Sequence, residues 1–335
     1  MSVLIGGSGS TGSTLLRNIL NRHDEIFCGS ELNLFNKEKL FINWNRNKYK
    51  LLKYRRSFST DGWVAYPGNH LLNEDYYWKY RELKQIINDS DTFQSFAEKF
   101  FSKPLKRERK NIWMEKTPSN CYSFSSFLRN FDNSKLITTV RNPLDSVNSL
   151  SRRGFSIFYA TGMWVYNTAC ALNIQNEKQN YILKYENLVT NPDIELNKLF
   201  EYLNLNYSNK ILDPKIRKVK GKSLDTWSNN PSNKISKNSI NSFKNLTKET
   251  QDEIITALNV FQISQKHINQ RNLKYNDARE ICKYLGYDLP NKIEPKKVKN
   301  IRTALVKDYF LRGYKNYSTA WSNYPARIKF KESIK

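Results

Sequence analysis

The chain is poor in the residues that bind metals or cross-link. Its 335 residues include 4 cysteines and 3 histidines. Cys28, Cys121, Cys170 and Cys282 are scattered and form no C-x-x-C pair. With only His23, His70 and His267 beside them, they carry no structural zinc signature, and no metal site is expected. Such spacing points to reduced thiols and a cytoplasmic protein. No run approaches the roughly 18 apolar residues of a membrane span. The first strand-like run begins at residue 2 or 3, so no secretory signal is expected ahead of it. Acidic residues are also scarce, 31 against 55 Lys and Arg, leaving a formal net charge of +24. That balance favours anionic partners or, more simply, a solvated lysine surface. No internal repeat is evident.

What is present is a globular composition, 39% hydrophobic and 13% aromatic, in a chain long enough for a substantial core. Val3-Leu4-Ile5 reads as a short buried strand. Three similar runs follow at Asn111–Lys116, Lys135–Val140 and Tyr181–Tyr185, with helical patterns at Ser123–Asn130, Pro143–Ser151 and Asp193–Leu203 between and after them. Strands alternating with helices predict a parallel α/β sheet. Each run ends in polar chemistry: Lys116-Thr117-Pro118, Arg141-Asn142-Pro143 and Tyr185-Glu186-Asn187. In open parallel sheets ligands bind beyond the C-terminal strand ends, which is where these clusters fall. Residues 36–110, aromatic and basic, read as a helical insertion. Residues 220–246, rich in Ser, Asn and Lys, read as a long loop, a lid or a surface excursion. From Pro290 the chain is basic and aromatic with no evident core role.

The first strand runs into Gly6-Gly7-Ser8-Gly9-Ser10-Thr11-Gly12-Ser13-Thr14, which opens an amphipathic helix. Glycines let successive N–H groups turn inward, and the helix N-terminus adds partial positive charge, so the loop suits a phosphate. Gly7, Gly12 and Thr14 fit the G-x-x-x-x-G-K-[ST] spacing, but Ser13 stands where an NTPase needs its lysine. That loss, and the lack of an obvious acidic strand end for Mg²⁺, weigh against a P-loop kinase, which stays as one alternative.

With four segments in order over roughly residues 2–205, the chain resembles sulfotransferases that use 3′-phosphoadenosine-5′-phosphosulfate (PAPS), and most of all the branch that includes tyrosylprotein sulfotransferases. The resemblance implies an α/β, three-layer P-loop-type fold with a central parallel sheet, spanning residues 1–290 and followed by an extension at 291–335. It implies that Gly9, Ser10, Thr11, Gly12, Ser13 and Thr14 wrap the donor's 5′-phosphosulfate. Arg141 and Ser149 would grip the 3′-phosphate, the planar fork of arginine matching phosphate oxygens. The stretch His23–Glu31 places Glu31 as the general base for an acceptor hydroxyl; the alternative is an ordinary surface or N-cap acid. Lys116 would neutralise charge on the leaving group. Tyr185 would contact the nucleotide or sit as a buried strand tyrosine, and Ser228 and Lys234 would close over the donor. The departure is Ser10, where the family carries a basic residue; Lys116 is expected to take that load, and the other alternative is a PAPS- or polyanion-binding protein with weak or lost catalysis. The product would be the 3′,5′-bisphosphate PAP. The acceptor is expected to be an acidic glycan or peptide or a small metabolite, with no nucleic-acid partner.

Overall fold

Five short apolar strands form one parallel sheet: β1 (Ser2–Gly7), β2 (Ile26–Cys28), β3 (Ile112–Lys116), β4 (Ser134–Val140) and β5 (Asn180–Lys184). Their spatial order is β2-β3-β1-β4-β5. The computed structural model describes residues 1–52, 71–174, 177–216, 235–315 and 328–330. The connection leaving β1 runs toward β2 on one side, and the connection leaving its neighbour β4 runs toward β5 on the other. The crevice at the C-terminal ends of β1 and β4 is therefore the topological switch point, where such sheets bind ligands. Register aligns the two ends, with Gly7 opposite Thr139.

Helix α1 (Ser13–Leu20) follows β1, and α2 (Glu38–Ile42), α3 (Trp44–Asn47), α4 (Tyr80–Asn88) and α5 (Phe93–Glu108) lie between β2 and β3. Next come α6 (Phe124–Asn130), α7 (Pro143–Ser151) and α8 (Ile157–Leu172), then α9 (Tyr185–Thr190) and α10 (Pro192–Leu203). The C-terminal part holds α11 (Lys248–Val260), β6 (Phe261–Ile263), α12 (Gln265–Arg271), α13 (Ala278–Leu285), α14 (Pro295–Lys315) and β7 (Ile328–Phe330), with β6 and β7 antiparallel. Strand alternation splits the core in two. Val3, Ile5 and Ile137 pack with Leu16 and Ile19 of α1 and with Leu199 and Phe200 of α10. Leu4, Phe27, Trp113 and Leu136 face the larger aromatic core, in which Phe101 of α5 stacks on Trp113 with ring centroids 4.2 Å apart. Helices cover both faces, giving three layers.

Three elements differ from the sequence reading. Strand β2 is only three residues long, too short to show a period. Helix α8 is buried from Phe158 through Leu172, so it carries no polar stripe to mark it as amphipathic. The segment after Pro290 does contribute to the core: Val298 and Ile301 of α14 are buried with residues of α8 and α11. Of the 220–246 loop, residues 220–234 lie outside the described residues. Its remainder runs over the surface of α7 to a 3₁₀ turn at Ser242–Asn245.

The turn from α1 into β2 is held by a buried cation. Lys110 Nζ donates to the carbonyls of Asn21 (2.8 Å), His23 (3.0 Å) and Ile26. It bonds carbonyls at and just beyond the negative end of α1, where the Ile26 N–H reaches His23 at only 3.3 Å. Lys110→Met is expected to cost about 1–3 kcal/mol in urea unfolding, since removing the donor strands buried carbonyls. An unchanged midpoint would show that water takes over the role.

Candidate functional site

The loop after β1 has its shape because of close approaches that exclude side chains. Gly7 has φ 138, and a Cβ there would lie 2.3 Å from the Thr139 carbonyl oxygen. Gly12 has φ 81 and caps α1; a Cβ there would come within 2.4 Å of the Tyr185 ring. Between them Ser10 is held left-handed at φ 63, a conformation that serine adopts only where its surroundings enforce it. Thr11 supplies part of that enforcement, since its hydroxyl donates to the Ser8 carbonyl at 2.8 Å and pairs with Thr139 Oγ1 at 2.7 Å. Gly9 packs near Met163 and Leu150, while Ser13 and Thr14 form the first turn of α1. That turn holds no acidic residue and no side-chain cap, which leaves its positive dipole end suited to an anion. The hydroxyl oxygens of Ser8 and Ser10 are buried without a hydrogen-bond partner among the described residues. An anion on this loop would satisfy them.

β4 delivers the second part. Arg141 is buried; one of its Nη atoms donates to the Ser10 carbonyl at 3.2 Å and the other to the Ser239 carbonyl. Its guanidinium lies 4.7 Å from the centroid of the Tyr185 ring and 4.0 Å from Asp145. Trp164 fixes its backbone, donating from Nε1 to the Arg141 carbonyl at 3.1 Å. The Nε of Arg141 is buried and has no partner among the described residues. Tyr185 is the first residue of α9 rather than a strand residue, because β5 ends at Lys184. Its ring therefore sits between Gly12 and Arg141. Ser149 lies two turns along α7 from Arg141 and is partly exposed.

β3 supplies the third part. The Lys116 side chain is 1% exposed, donates to Thr14 Oγ1 at 3.3 Å, and is paired with the carboxylate of Glu31, which is 38% exposed. The structure thus joins Glu31, Lys116 and Thr14 in one contact set, and Ser10, Gly12, Arg141 and Tyr185 in another on the same loop. Ser228 and Lys234 lie outside the described residues.

Several residues here escaped the sequence reading. Arg153 follows α7, with its Nε buried and without a partner among the described residues, within electrostatic reach of both Glu31 and Arg141; burial lowers its pKa below the usual arginine value. Residues 141, 145, 149 and 153 are spaced by four, the helical repeat that could have revealed it. Asp145 accepts from the backbone N–H groups of Asn241 (2.8 Å) and Phe243 (2.9 Å) and from the Ser242 hydroxyl, tying the segment after residue 235 to the site. Glu186 accepts from the Asn142 N–H at 2.9 Å and the Tyr287 hydroxyl at 2.8 Å, linking the turn after Arg141 to the end of α13.

Comparison with known proteins bears on this arrangement. A family model described as "Sulfotransferase family" matches residues 2–209. No curated protein matches the chain. Among solved structures, the sulfotransferase domain from the curacin biosynthetic pathway superposes with a TM-score of 0.55 at 18% identity, covering 86% of this chain and 98% of that one. The sulfotransferase domain of the Synechococcus PCC 7002 olefin synthase gives 0.50 at 16% identity, covering 90% and 93%. At these identities the two likenesses speak to the fold.

One thiol lies close to this site. Cys28 ends β2, two residues before Ser30, and burial pushes its pKa up to about 12; burial does the same for Cys282. Both are therefore neutral thiols at mildly alkaline pH. Ellman's reagent is expected to label neither in the native protein and both after denaturation. Fast native labelling of Cys28 would show that the base of the site opens.

Proposed function

The chain belongs to the sulfotransferase family, and from that premise we propose that it moves the sulfuryl group of PAPS to an acceptor hydroxyl by in-line displacement. The observation that carries this reading is the contact of Lys116 with Glu31 beside a loop whose Ser8 and Ser10 hydroxyls are buried and unsatisfied. The orphaned Nε atoms of Arg141 and Arg153 add two cationic donors with unused capacity. This donor set fits a doubly phosphorylated, sulfated nucleotide: neutral hydroxyls and helix N–H groups for the phosphosulfate, Arg141 with Ser149 for the 3′-phosphate, and the Tyr185 ring beside them. The likeness to the tyrosylprotein branch rests on the sequence stretches around Glu31 and Tyr185 and belongs to the same proposal.

The chain's own groups divide the work. Glu31 takes the proton of the acceptor hydroxyl as its oxygen bonds to sulfur. The S–O bond to the 5′-phosphate breaks, and its electron pair stays on the leaving bisphosphate. Lys116, beside Thr14 at the start of α1, neutralises that growing charge. Ser10 cannot supply a charge there, and Arg153 on the Glu31 side adds to Lys116. Because Lys116 contacts Glu31 in the ligand-free chain, donor and base share one cation. The formal +24 charge favours an acidic glycan or peptide acceptor over a neutral metabolite. Among the described residues, which include all four cysteines, there is no disulfide, consistent with work in the cytoplasm. No helix of the described residues is long and apolar enough to cross a membrane.

Two experiments test the reading. In thermal denaturation PAP is expected to stabilise the protein, by about 2.7 kcal/mol at 100 times its Kd, with ATP weaker at equal concentration. ATP-selective stabilisation would point to a kinase instead. A mass-spectrometric acceptor screen with PAPS is expected to yield a sulfated product. Lys116→Ala should then lower kcat by about 10²–10³, the usual loss when a preorganised charge is removed. Full transfer by Lys116→Ala would remove that lysine from the mechanism.

A further inference from the structure

Glu115 is a carboxylate for which the reaction above has no use. It lies one residue before Lys116 at the end of β3 and is fully buried. A charge there is costly unless its oxygens are bonded, and both are. Oε1 accepts from the backbone N–H of Leu32 at 2.9 Å and from the Thr117 hydroxyl at 2.7 Å, and Oε2 accepts from Asn120 Nδ2. Thr117 Oγ1 in turn accepts the N–H of Asn33 at 3.1 Å, where the chain turns left-handed at φ 49. The two amides that follow Glu31 are thus tied to the strand that presents Lys116, one directly and one through Thr117. Alternation sends residues 115 and 116 to opposite sides of the strand. Lys116 meets the carboxylate of Glu31, while Glu115 holds the backbone just beyond it.

We propose that Glu115 is a positioning residue: it fixes the segment Glu31–Asn33 so that the Glu31 carboxylate stays beside Lys116 at the donor loop. The inference rests on the reading of Glu31 as the base. Glu115 touches neither donor nor acceptor and acts through the main chain of residues 32 and 33. Misplacement of a reacting group by an ångström costs about 100-fold in rate, so the tether has kinetic weight.

The test measures PAP release from PAPS with water as acceptor, together with amide hydrogen exchange. Glu115→Ala is expected to lower kcat by about 10- to 100-fold, cause no weakening of PAP binding, and expose the amides of Leu32 and Asn33 to exchange. Glu115→Gln keeps an oxygen for Leu32 and Thr117 and should recover most of the rate. In a Glu31→Gln background, Glu115→Ala should cost nothing further, because a group acting through Glu31 has nothing left to position. A folded Glu115→Ala with wild-type kcat and protection, or one that loses PAP affinity in step with kcat, overturns the inference. So does a full additional loss in the Glu31→Gln background. If Glu31→Gln alone leaves the rate unchanged, the base reading falls and takes this inference with it. A slow Glu31→Gln beside a normal Glu115→Ala removes this inference alone. Should Glu115→Ala not fold, Thr117→Val severs the link to Asn33 and removes one donor to Glu115 Oε1 while leaving its bond from Leu32; a several-fold slower kcat supports the tether, and an unchanged kcat refutes it.

Discussion

The ion pair between Lys116 and Glu31 is the contact on which the site is organised. A lysine buried to 1% exposure needs a counter-charge, because an isolated ammonium in the interior is strongly disfavoured. Glu31 provides it from the partly exposed side, and Thr14 accepts from the same nitrogen on the helix side. The pair binds three elements together: the end of β3, the start of α1, and the segment after β2. In the mechanism we propose, it also holds the two charges of the reaction, a cation for the departing phosphate and a base for the arriving hydroxyl. In the ligand-free chain each occupies the other. On the same proposal, a donor that draws on Lys116 would release Glu31 when a base is needed.

The sheet order explains why these groups lie together. Placing β1 between β3 and β4 brings Lys116, the glycine-serine loop and Arg141 to neighbouring strand ends at the switch point. The loop is held by exclusion: Gly7 leaves no room beside Thr139, and Gly12 none beside Tyr185. Arg141 is held by attraction, bonded to the Ser10 and Ser239 carbonyls, stacked on Tyr185 and near Asp145. Even distant parts contribute, since Tyr287 beyond α13 reaches Glu186, which fixes the turn that follows Arg141.

Much of this could be read from the chain because the chemistry sits at strand ends. β1, β3 and β4 have runs of apolar residues that stop at a polar triplet, so period and punctuation agree, and Lys116 and Arg141 fall at the stops. The stretch that ends in Glu31 was legible by its distance from the loop. What escaped was set by three-dimensional packing. α8, buried almost along its whole length, has no polar stripe, β2 has three residues, and Val298 and Ile301 find a core that the composition of the tail hides. Tyr185 sits one residue past the strand that its neighbours suggest. Glu115 bonds the Leu32 amide and Arg153 lies within electrostatic reach of Glu31, each more than eighty residues away in sequence. The spacing by four from Arg141 marks Arg153, but no local pattern encodes either long-range contact.

The central claim, that one lysine is shared between the base and the donor, is tested most directly by a double-mutant cycle on PAP affinity. Kd for PAP would be measured by calorimetry for the wild type, Glu31→Gln, Lys116→Ala and the double variant. The account predicts that Glu31→Gln tightens PAP binding when Lys116 is present, because the lysine no longer has a competitor. It predicts no tightening in the Lys116→Ala background, a coupling of about 1 kcal/mol or more. An equal gain in both backgrounds would reduce Glu31 to a repelling charge, and no gain in either would mean that the pair plays no part in holding the donor.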